Sequence, residues 1–427
     1  MSATIPRIVF LNRCYWPDSE ATGQLLTDLC TDLTASFDVH VVCGQPNSPA
    51  ADAKFTKSGR QVRDQVTIHR LTHTQFSKRV PAGRRLNILS FAYATSRYLK
   101  RTRMAADVIV SETDPFLLPI VAGQHATRCG AKLVCYLQDI YPDVAEAIDK
   151  AKSGWLTNRI RAYLRTTYRA AERIVVLGNC MSRRLEAEPW GIDPDKITVI
   201  PNWADCDVIQ PRQPAKLNGF LEAHGLRDRF VVMHSGNMGL TQRLDVLIAA
   251  AADPAWPDNA VLTLVGDGVA RRDLEQQAGA MLGNRVRFMP YQPRSELSNS
   301  LSAADLHVVS MHDNIVGCLC PSKLYGILAA GRPVLAIGPE NTDLQQLVRQ
   351  RQIGWCCPPG DATAIATAVA SAVSDQANRL AMSDRARNLA LQSYDRKVVT
   401  GQFAEMLREI TTNVAANPID LAPAATS

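Results

Sequence analysis

The stretch RIVFLNRCYWPDSEATGQLLTDLCTDLTASFDVHVVCG, residues 7–44, decides the fold. RIVFLN (7–12) is a short apolar run, which predicts a buried strand. YWPDSEATGQ (15–24) follows, rich in turn and polar residues. Leu25, Leu26, Leu29 and Leu33 then recur at helical spacing. DVHVVCG (38–44) reads as a second strand. Parallel strands need a crossover, so strand, loop, helix and strand in this order mark a doubly wound parallel sheet.

The rhythm continues outward. VTIHRLT (66–72), ADVIVSE (106–112), AKLVCYLQD (131–139), AERIVVLG (171–178) and KITVIPN (196–202) read as strands. PNWADCDVIQPRQPAKLNGF (201–220) breaks the pattern with Pro201, Pro211 and Pro214 and reads as a linker. A second α/β series follows, with strands at FVVMHSGN (230–237), AVLTLVGDG (260–268), RVRFMPY (285–291), DLHVVSM (305–311), PVLAIG (333–338) and IGWCCPPGD (353–361). The expected architecture is α/β, with two Rossmann-like domains facing a cleft. Residues 1–205 form the first, 206–228 a linker and 229–393 the second, with a disordered tail at 413–427.

Composition excludes several classes. A net charge of +6 is too small to argue nucleic-acid binding, and no recognition motif accompanies it. Eleven cysteines, an odd number without a Cys-x-x-Cys pair, supply neither a disulfide framework nor zinc spacing, so a reducing cytoplasm is expected. No signal peptide and no run of 18 uncharged apolar residues is present.

Ligands of such sheets sit beyond the carboxyl ends of the strands. In HSGNMGLTQRLD (234–245), Gly236 and Gly239 permit close approach to a ligand. The following helix is expected to begin near Thr241, with Arg243 in its first turn. LVGDGVARRDL (264–274) carries Gly266 and Gly268 around Asp267. In CPSKLYGILAAGRP (320–333), Pro321 is tolerated at a helix start, Ser322 is a good N-cap and Lys323 adds a positive charge. A cation there opposes the helix dipole, and a bound anion would offset that cost. Each loop alone is also an ordinary strand-to-helix turn. Three such loops at one end of one sheet point to a nucleotide diphosphate.

With YWPDSEATGQLLTDL (15–29), QDIYPD (138–143), VIPNWAD (199–205), SGNMGL (235–240), GDG and PSKLYGILAAGRPV (321–334) in this order, the chain resembles the retaining glycosyltransferases of family 4, of GT-B architecture. The nearest branch builds capsule, O-antigen or exopolysaccharide. The resemblance implies transfer of a hexosyl or N-acetylhexosaminyl group, with retention and without a metal or resident cofactor. The nucleotide sugar, with a UDP-sugar the leading choice, is a substrate. The implied donor set is Ser235, Gly236, Asn237, Gly239, Gly266, Gly268, Tyr291, Pro321, Ser322, Lys323 and Leu324. Lys323 and Arg243 would stabilise the leaving diphosphate, and Asp139 is the acidic candidate beside the acceptor. Asp18, Glu20, Thr22, Gly23 and Asp139 would face that acceptor, and a helix at 394–412 would cross back to the first domain. The wider family carries two glutamates whose register falls on Cys318 and Gly326, and Thr241 stands where a lysine is expected.

Between Asp64 and Asp107 no acidic residue interrupts Arg70, Lys78, Arg79, Arg84, Arg85, Arg97, Lys100, Arg101 and Arg103. WLTNRIRAYLRTTYRAA (155–171) is also basic and amphipathic. Such segments suit an anionic membrane and an acceptor carried on a polyprenyl diphosphate, placing the protein peripherally on the inner face of the cell membrane. The alternatives are a nucleotide-sugar epimerase of similar architecture, or a catalytically silent transferase-like subunit.

Overall fold

The computed structural model describes residues 5–18, 20–47, 55–76, 81–212 and 218–415. Lys78, Arg79 and the tail from 416 onward lie outside the described residues.

The first sheet holds β1 (Arg7–Leu11), β2 (Asp38–Cys43), β3 (Gly59–Arg63), β4 (Val66–Arg70), β5 (Val108–Ser111), β6 (Lys132–Leu137), β7 (Arg173–Val176) and β8 (Ile197–Val199). Their order is β3-β4-β2-β1-β5-β6-β7-β8, parallel except for β3. The second sheet holds β9 (Phe230–Ser235), β10 (Ala260–Val265), β11 (Val286–Met289), β12 (Leu306–Ser310), β13 (Val334–Ile337) and β14 (Gly354–Cys357). Its order is β11-β10-β9-β12-β13-β14, all parallel. Strand runs such as FVVMH and AVLTLV are buried throughout because helices cover both faces. In each sheet the order reverses beside the first strand, at β1/β5 and at β9/β12. These are the switch points where such sheets bind ligands.

β3 has no counterpart in the sequence reading. It pairs antiparallel with β4 through a two-residue turn at Asp64 and Gln65, whose φ values are 48° and 64°. Both positive values make this the hairpin turn that matches strand twist.

The stretch read as a linker is partly ordered. It contains the helix Gly219–Ala223, whose Phe220 and Leu221 are buried with Leu226 against the second sheet. Packing of the second domain therefore begins before residue 229, while 213–217 lie outside the described residues.

The last helix runs over Arg396–Ala415, so it starts two residues later than expected and enters the stretch read as a tail. It packs on the first domain, where Phe403 meets Phe10 and Tyr136 at ring separations of 6.4 and 5.2 Å. Arg396 fixes its start, reaching Asp32 at 2.7 Å, Asp28 at 3.1 Å and Asp205 at 3.5 Å. Its side chain is only 21% exposed, so these pairs are worth more than surface pairs. Removing the guanidinium leaves Asp32 and Asp205 without this arginine, while Asp28 keeps Arg294 at 3.1 Å. Arg396→Ala is expected to cost about 2 kcal/mol, between the surface and buried limits. The urea midpoint checks this, and Arg396→Lys should recover only part of the loss.

Candidate functional site

On the second sheet, β9 ends at the partly buried Ser235 and the chain turns at Gly236, with φ 136°. His234 is fully buried on the strand. The Lys323 ammonium lies 3.2 Å from its Nε2 and 3.4 Å from its Nδ1. A Cβ at Gly236 would stand 3.6 Å from Lys323 Nζ, so the missing side chain keeps this lysine beside bare backbone. Lys323 is partly exposed by surface, yet protein atoms surround it, and burial lowers its pKa from 10.5 to about 7. Burial, then the Lys323 charge, holds His234 well below its ordinary value, so the ring is neutral. Among the described residues no carboxylate pairs with Lys323; its polar partner is this neutral ring. An enclosed cation without a counter-ion, facing an open backbone turn, favours an anion.

Other expected donor residues divide into those near this point and those held elsewhere. Gly236 donates its N–H to Val265 at 2.9 Å, and Gly239 donates its N–H to Gln242 Oε1 at 2.9 Å, so neither amide is free for a phosphate. Asn237 is exposed at the loop tip. Gly266 and Gly268 meet the neighbouring loop rather than open space: a Cβ at Gly266 would lie 2.0 Å from Gly236 O, and one at Gly268 would lie 2.3 Å from Met238 O. The two loops are also joined by Met238 N–H to Asp267 O at 2.8 Å. Tyr291 is 56% exposed beside them, its hydroxyl donating to Asp267 O at 3.4 Å.

Four local expectations are corrected. The helix after β9 begins at Leu244, not near Thr241, and Arg243 precedes it in a left-handed conformation at φ 46°. Its exposed guanidinium donates to the Asp245 carboxylate at 3.1 Å, which removes it from Lys323. Ser322 is exposed, itself in helical conformation, and makes no capping bond. The helix it precedes, Lys323–Ala329, has only seven residues. Leu324 is buried in the core, while Pro321 is partly buried ahead of it. A Cβ at Gly326 would rest on Leu301 at 3.4 Å and near Ile209 at 3.9 Å, both apolar.

On the first sheet, the loop after β1 folds around Asp18. Its carboxylate accepts from Asn47 N–H at 2.8 Å and Glu20 N–H at 3.3 Å. The Cys14 thiol donates to Asp114 at 3.0 Å and lies 3.4 Å from Glu20. Gly23 lets the helix Ala21–Leu33 approach, since a Cβ there would meet Cys14 Cβ at 3.4 Å, and Thr22 is partly buried in its first turn. Cys14, Asp18 and Glu20 are grouped closely enough to ligate a cation. Burial, then Asp114, pushes the thiol well above 9.0, so it is held as a hydrogen-bond donor and not as a thiolate ligand. The chain's two Asp-x-Asp spacings are engaged elsewhere: Asp193 accepts from Asp195 N–H, and Asp205 and Asp207 pair with Arg396 and Lys397.

Asp139 follows β6. Burial, then Asp114, raises its carboxyl to about 6. It forms an antiparallel bridge with Leu319, and Ile140 N–H donates to Cys318 O at 2.8 Å. Thus the acidic end of the first domain is clipped to the loop that delivers Lys323. The sequence reading missed Glu112, 2% exposed at the end of β5 and held well above 4.5 by burial, and Arg13, paired to Asp114 at 3.0 Å. Glu112 directly follows β5 and Arg13 lies two residues beyond β1, at the β1/β5 switch point, which is the signal that could have found them.

Comparisons with known proteins agree with this geometry. A family model for the glycosyl transferase 4-like domain matches residues 22–203, and one for glycosyl transferases group 1 matches 221–389. The probable glycosyltransferase WbjE of Pseudomonas aeruginosa is 26% identical over 75% of this chain and 78% of its own. The lipopolysaccharide core biosynthesis glycosyltransferase LpsE of Rhizobium meliloti is 25% identical over 69% of this chain and 81% of its own. The solved structure of Anabaena Alr3699/HepE with UDP-glucose superposes with a TM-score of 0.70 at 18% identity, covering 95% of this chain and all of that one. With both halves matched in order and the two-domain architecture shared, the chain belongs to the family 4 glycosyltransferases of GT-B architecture.

Proposed function

We propose that this glycosyltransferase works in cell-surface polysaccharide biosynthesis, moving a hexosyl or N-acetylhexosaminyl group from a UDP-sugar to a lipid-linked saccharide, with retention. The observation that carries the donor site is Lys323, an enclosed cation without a carboxylate partner among the described residues, set against Gly236. In this reading the diphosphate lies over the Ser235–Asn237 turn, and Lys323 stabilises the charge that develops on the leaving group. Asp139, with its carboxyl raised to about 6, faces the acceptor, while Asp18, Glu20, Thr22 and Gly23 shape that side of the cleft. No resident cofactor or metal has a part in this proposal. The names of WbjE and LpsE, and the UDP-glucose complex of HepE, support the substrate class.

Thermal unfolding against UDP, GDP, dTDP and their sugar conjugates tests it. A nucleotide at 100 times its dissociation constant adds about 2.7 kcal/mol. Stabilisation by UDP is expected. Stabilisation by another base replaces the donor assignment, and none at all returns the silent-subunit alternative.

The acceptor reading extends to the membrane. The helix Pro81–Thr102 exposes Leu86, Leu89, Tyr93 and Arg97 along one stripe, flanked by Arg85, Lys100 and Arg101; the side chain of Arg84 lies outside the described ones. The helix Trp155–Ala170 exposes Trp155, Leu156, Arg159 and Tyr163. Both pack against Leu118–Cys129, so their outer faces belong to one layer. Among the described residues no helix is long and apolar enough to cross a membrane. Apolar stripes fringed by cations suit the inner face of the cell membrane. Leu89→Asp with Tyr93→Asp is expected to reduce cosedimentation with phosphatidylglycerol vesicles at least tenfold while leaving the melting temperature unchanged.

A further inference from the structure

The helix Asn179–Glu186 of the first domain starts with a problem. Its N-cap residue is Gly178, which has no side chain to accept from the first amides. The acceptor comes from the other domain: Asp343 Oδ2 takes the Cys180 N–H at 2.8 Å. The exchange is reciprocal, because Asp343 N–H, at the first turn of the helix Asp343–Arg351, points at Cys180 Sγ at 3.3 Å. Two helix starts thus face each other, and one carboxylate lies between them. Arg183 adds a charge 3.7 Å from Asp343 Oδ1.

Glycine at 178 leaves room for this contact, and any side chain there would displace it. A Cβ there would meet Asp343 Oδ2 at 2.5 Å, Cys320 Sγ at 2.9 Å and Asp343 Cγ at 3.6 Å, and all three belong to the second domain. The backbone at Gly178 is extended, so alanine carries no dihedral strain. A few residues away, Gly317 packs the same way, with a Cβ position 2.7 Å from Cys180 O, and Arg184 reaches Val316 O at 3.4 Å. The Arg184, Gly317 and Gly178–Cys320 contacts meet one segment, residues 316–320, which runs directly into Pro321, Ser322 and Lys323, and the Cys180–Asp343 pair lies beside it. The Ile140–Cys318 hydrogen bond joins the same segment to Asp139.

We propose that Gly178, Cys180 and Asp343 form an interdomain latch that positions Lys323. They are positioning residues: none touches the donor, Gly178 abuts Cys320 of the segment that carries the lysine, and Cys180 and Asp343 hold the two domains together beside it. With the latch closed, the lysine is held against Gly236 and Asp139 is held against Leu319. With it open, the helix start at 179 loses its acceptor and the 316–320 segment keeps only its contacts through Ile140, Asp139 and Arg184 on the first domain. The proposal deepens the donor-site reading and rests on it for the role given to Lys323.

Gly178→Ala is the test, because the three nearest atoms the added methyl meets all belong to the opposite domain. Two quantities are read on the full-length protein: the radius of gyration by solution scattering, and the UDP dissociation constant by calorimetry. A larger radius and at least tenfold weaker UDP binding are expected. Asp343→Ala, which adds no atoms, should do the same, and Asp343→Asn, which keeps an acceptor oxygen, should restore most of the affinity. Because both substitutions open one contact, Gly178→Ala with Asp343→Ala should weaken binding little beyond either alone. An unchanged radius in Gly178→Ala overturns the latch, as does unchanged UDP affinity or independent, multiplying effects in the double variant. If Gly178→Ala does not fold, Asp343→Ala against Asp343→Asn decides by the same readings. If the wild-type protein binds no UDP, the donor reading fails, and the latch stands or falls on the scattering alone.

Discussion

Lys323→Ala is expected to weaken UDP binding about 100-fold or more and to abolish its dependence on alkaline pH. The lysine is the enclosed charge at the centre of the proposed donor site, and its partner His234 is neutral, so no other group there takes over. Charge-assisted bonds to phosphate are among the strong ones, and burial strengthens them. The pH dependence follows from the lowered pKa of about 7. Above that value the free protein loses the proton, whereas a diphosphate beside the ammonium holds it. Binding must then take up a proton, so affinity should fall by up to tenfold per pH unit from about pH 7 upward. Near pH 6 the nucleotide's own phosphate begins to protonate, so the plateau is narrow. The sign for stability is opposite. The unfolded lysine keeps its value of 10.5 and binds protons more strongly, so this group adds stability as pH rises from about 7 to 10.5. Calorimetry on the wild type and on Lys323→Ala at pH 7 and pH 9 checks this. A wild-type affinity that does not fall between them removes the assigned role of Lys323.

How that lysine is held shows what a sequence can and cannot display. Each buried strand of the second sheet was readable, because continuous apolar runs between turns have few other uses. Proximity of the Ser-Gly-Asn and Pro-Ser-Lys loops was also readable, since both follow strands that flank the switch point. What the lysine faces was not. His234 reads from sequence as a strand-end residue suited equally to packing or to donor contact, and only the fold brings its ring within 3.2 Å of Lys323. Ser322 has the right chemistry for a cap, but its helical backbone keeps the hydroxyl away from the amides. Arg243 has the right charge, but Asp245, two residues on, takes it locally.

β3 was missed for a different reason. GRQVR shows solvent on most of its length, with only Gln61 and Arg63 partly covered, so it has no apolar alternation to detect. Its turn uses Asp64 and Gln65 where Asn-Gly or Asp-Gly would have announced a hairpin. Contacts between domains were invisible by nature. Gly178 and Asp343 are 165 positions apart; the carboxylate reads locally as an ordinary first-turn acid of its helix, and nothing in the sequence shows that it meets Gly178.

The same reasoning makes Gly266→Ala a severely damaging single methyl at the donor-site turn. Gly266 sits at φ 136°, where an L side chain is strained whatever the surroundings. Its Cβ would also lie 2.0 Å from Gly236 O and 2.9 Å from Gly236 C, which are backbone atoms and cannot rotate away. The Ser-Gly-Asn turn would have to move, and it is held by Gly236 N–H to Val265 O and Met238 N–H to Asp267 O. Strain and displacement together put the cost at roughly 3–5 kcal/mol, in the range reserved for conflicts of this kind. Gly279 supplies the control: it too has positive φ, at 48°, but nothing lies within 4 Å of its Cβ position. Gly279→Ala should therefore cost only the dihedral strain of φ 48° and ψ −122°, about 1–3 kcal/mol. Urea unfolding of the two variants separates the terms. Because the displaced turn is the one Lys323 faces, Gly266→Ala should also lose UDP binding under conditions where the second domain is still folded, whereas Gly279→Ala should keep it. Equal losses of stability in the two would mean that the turn yields freely, and the close packing of the two glycine loops would then have no part in holding the donor site.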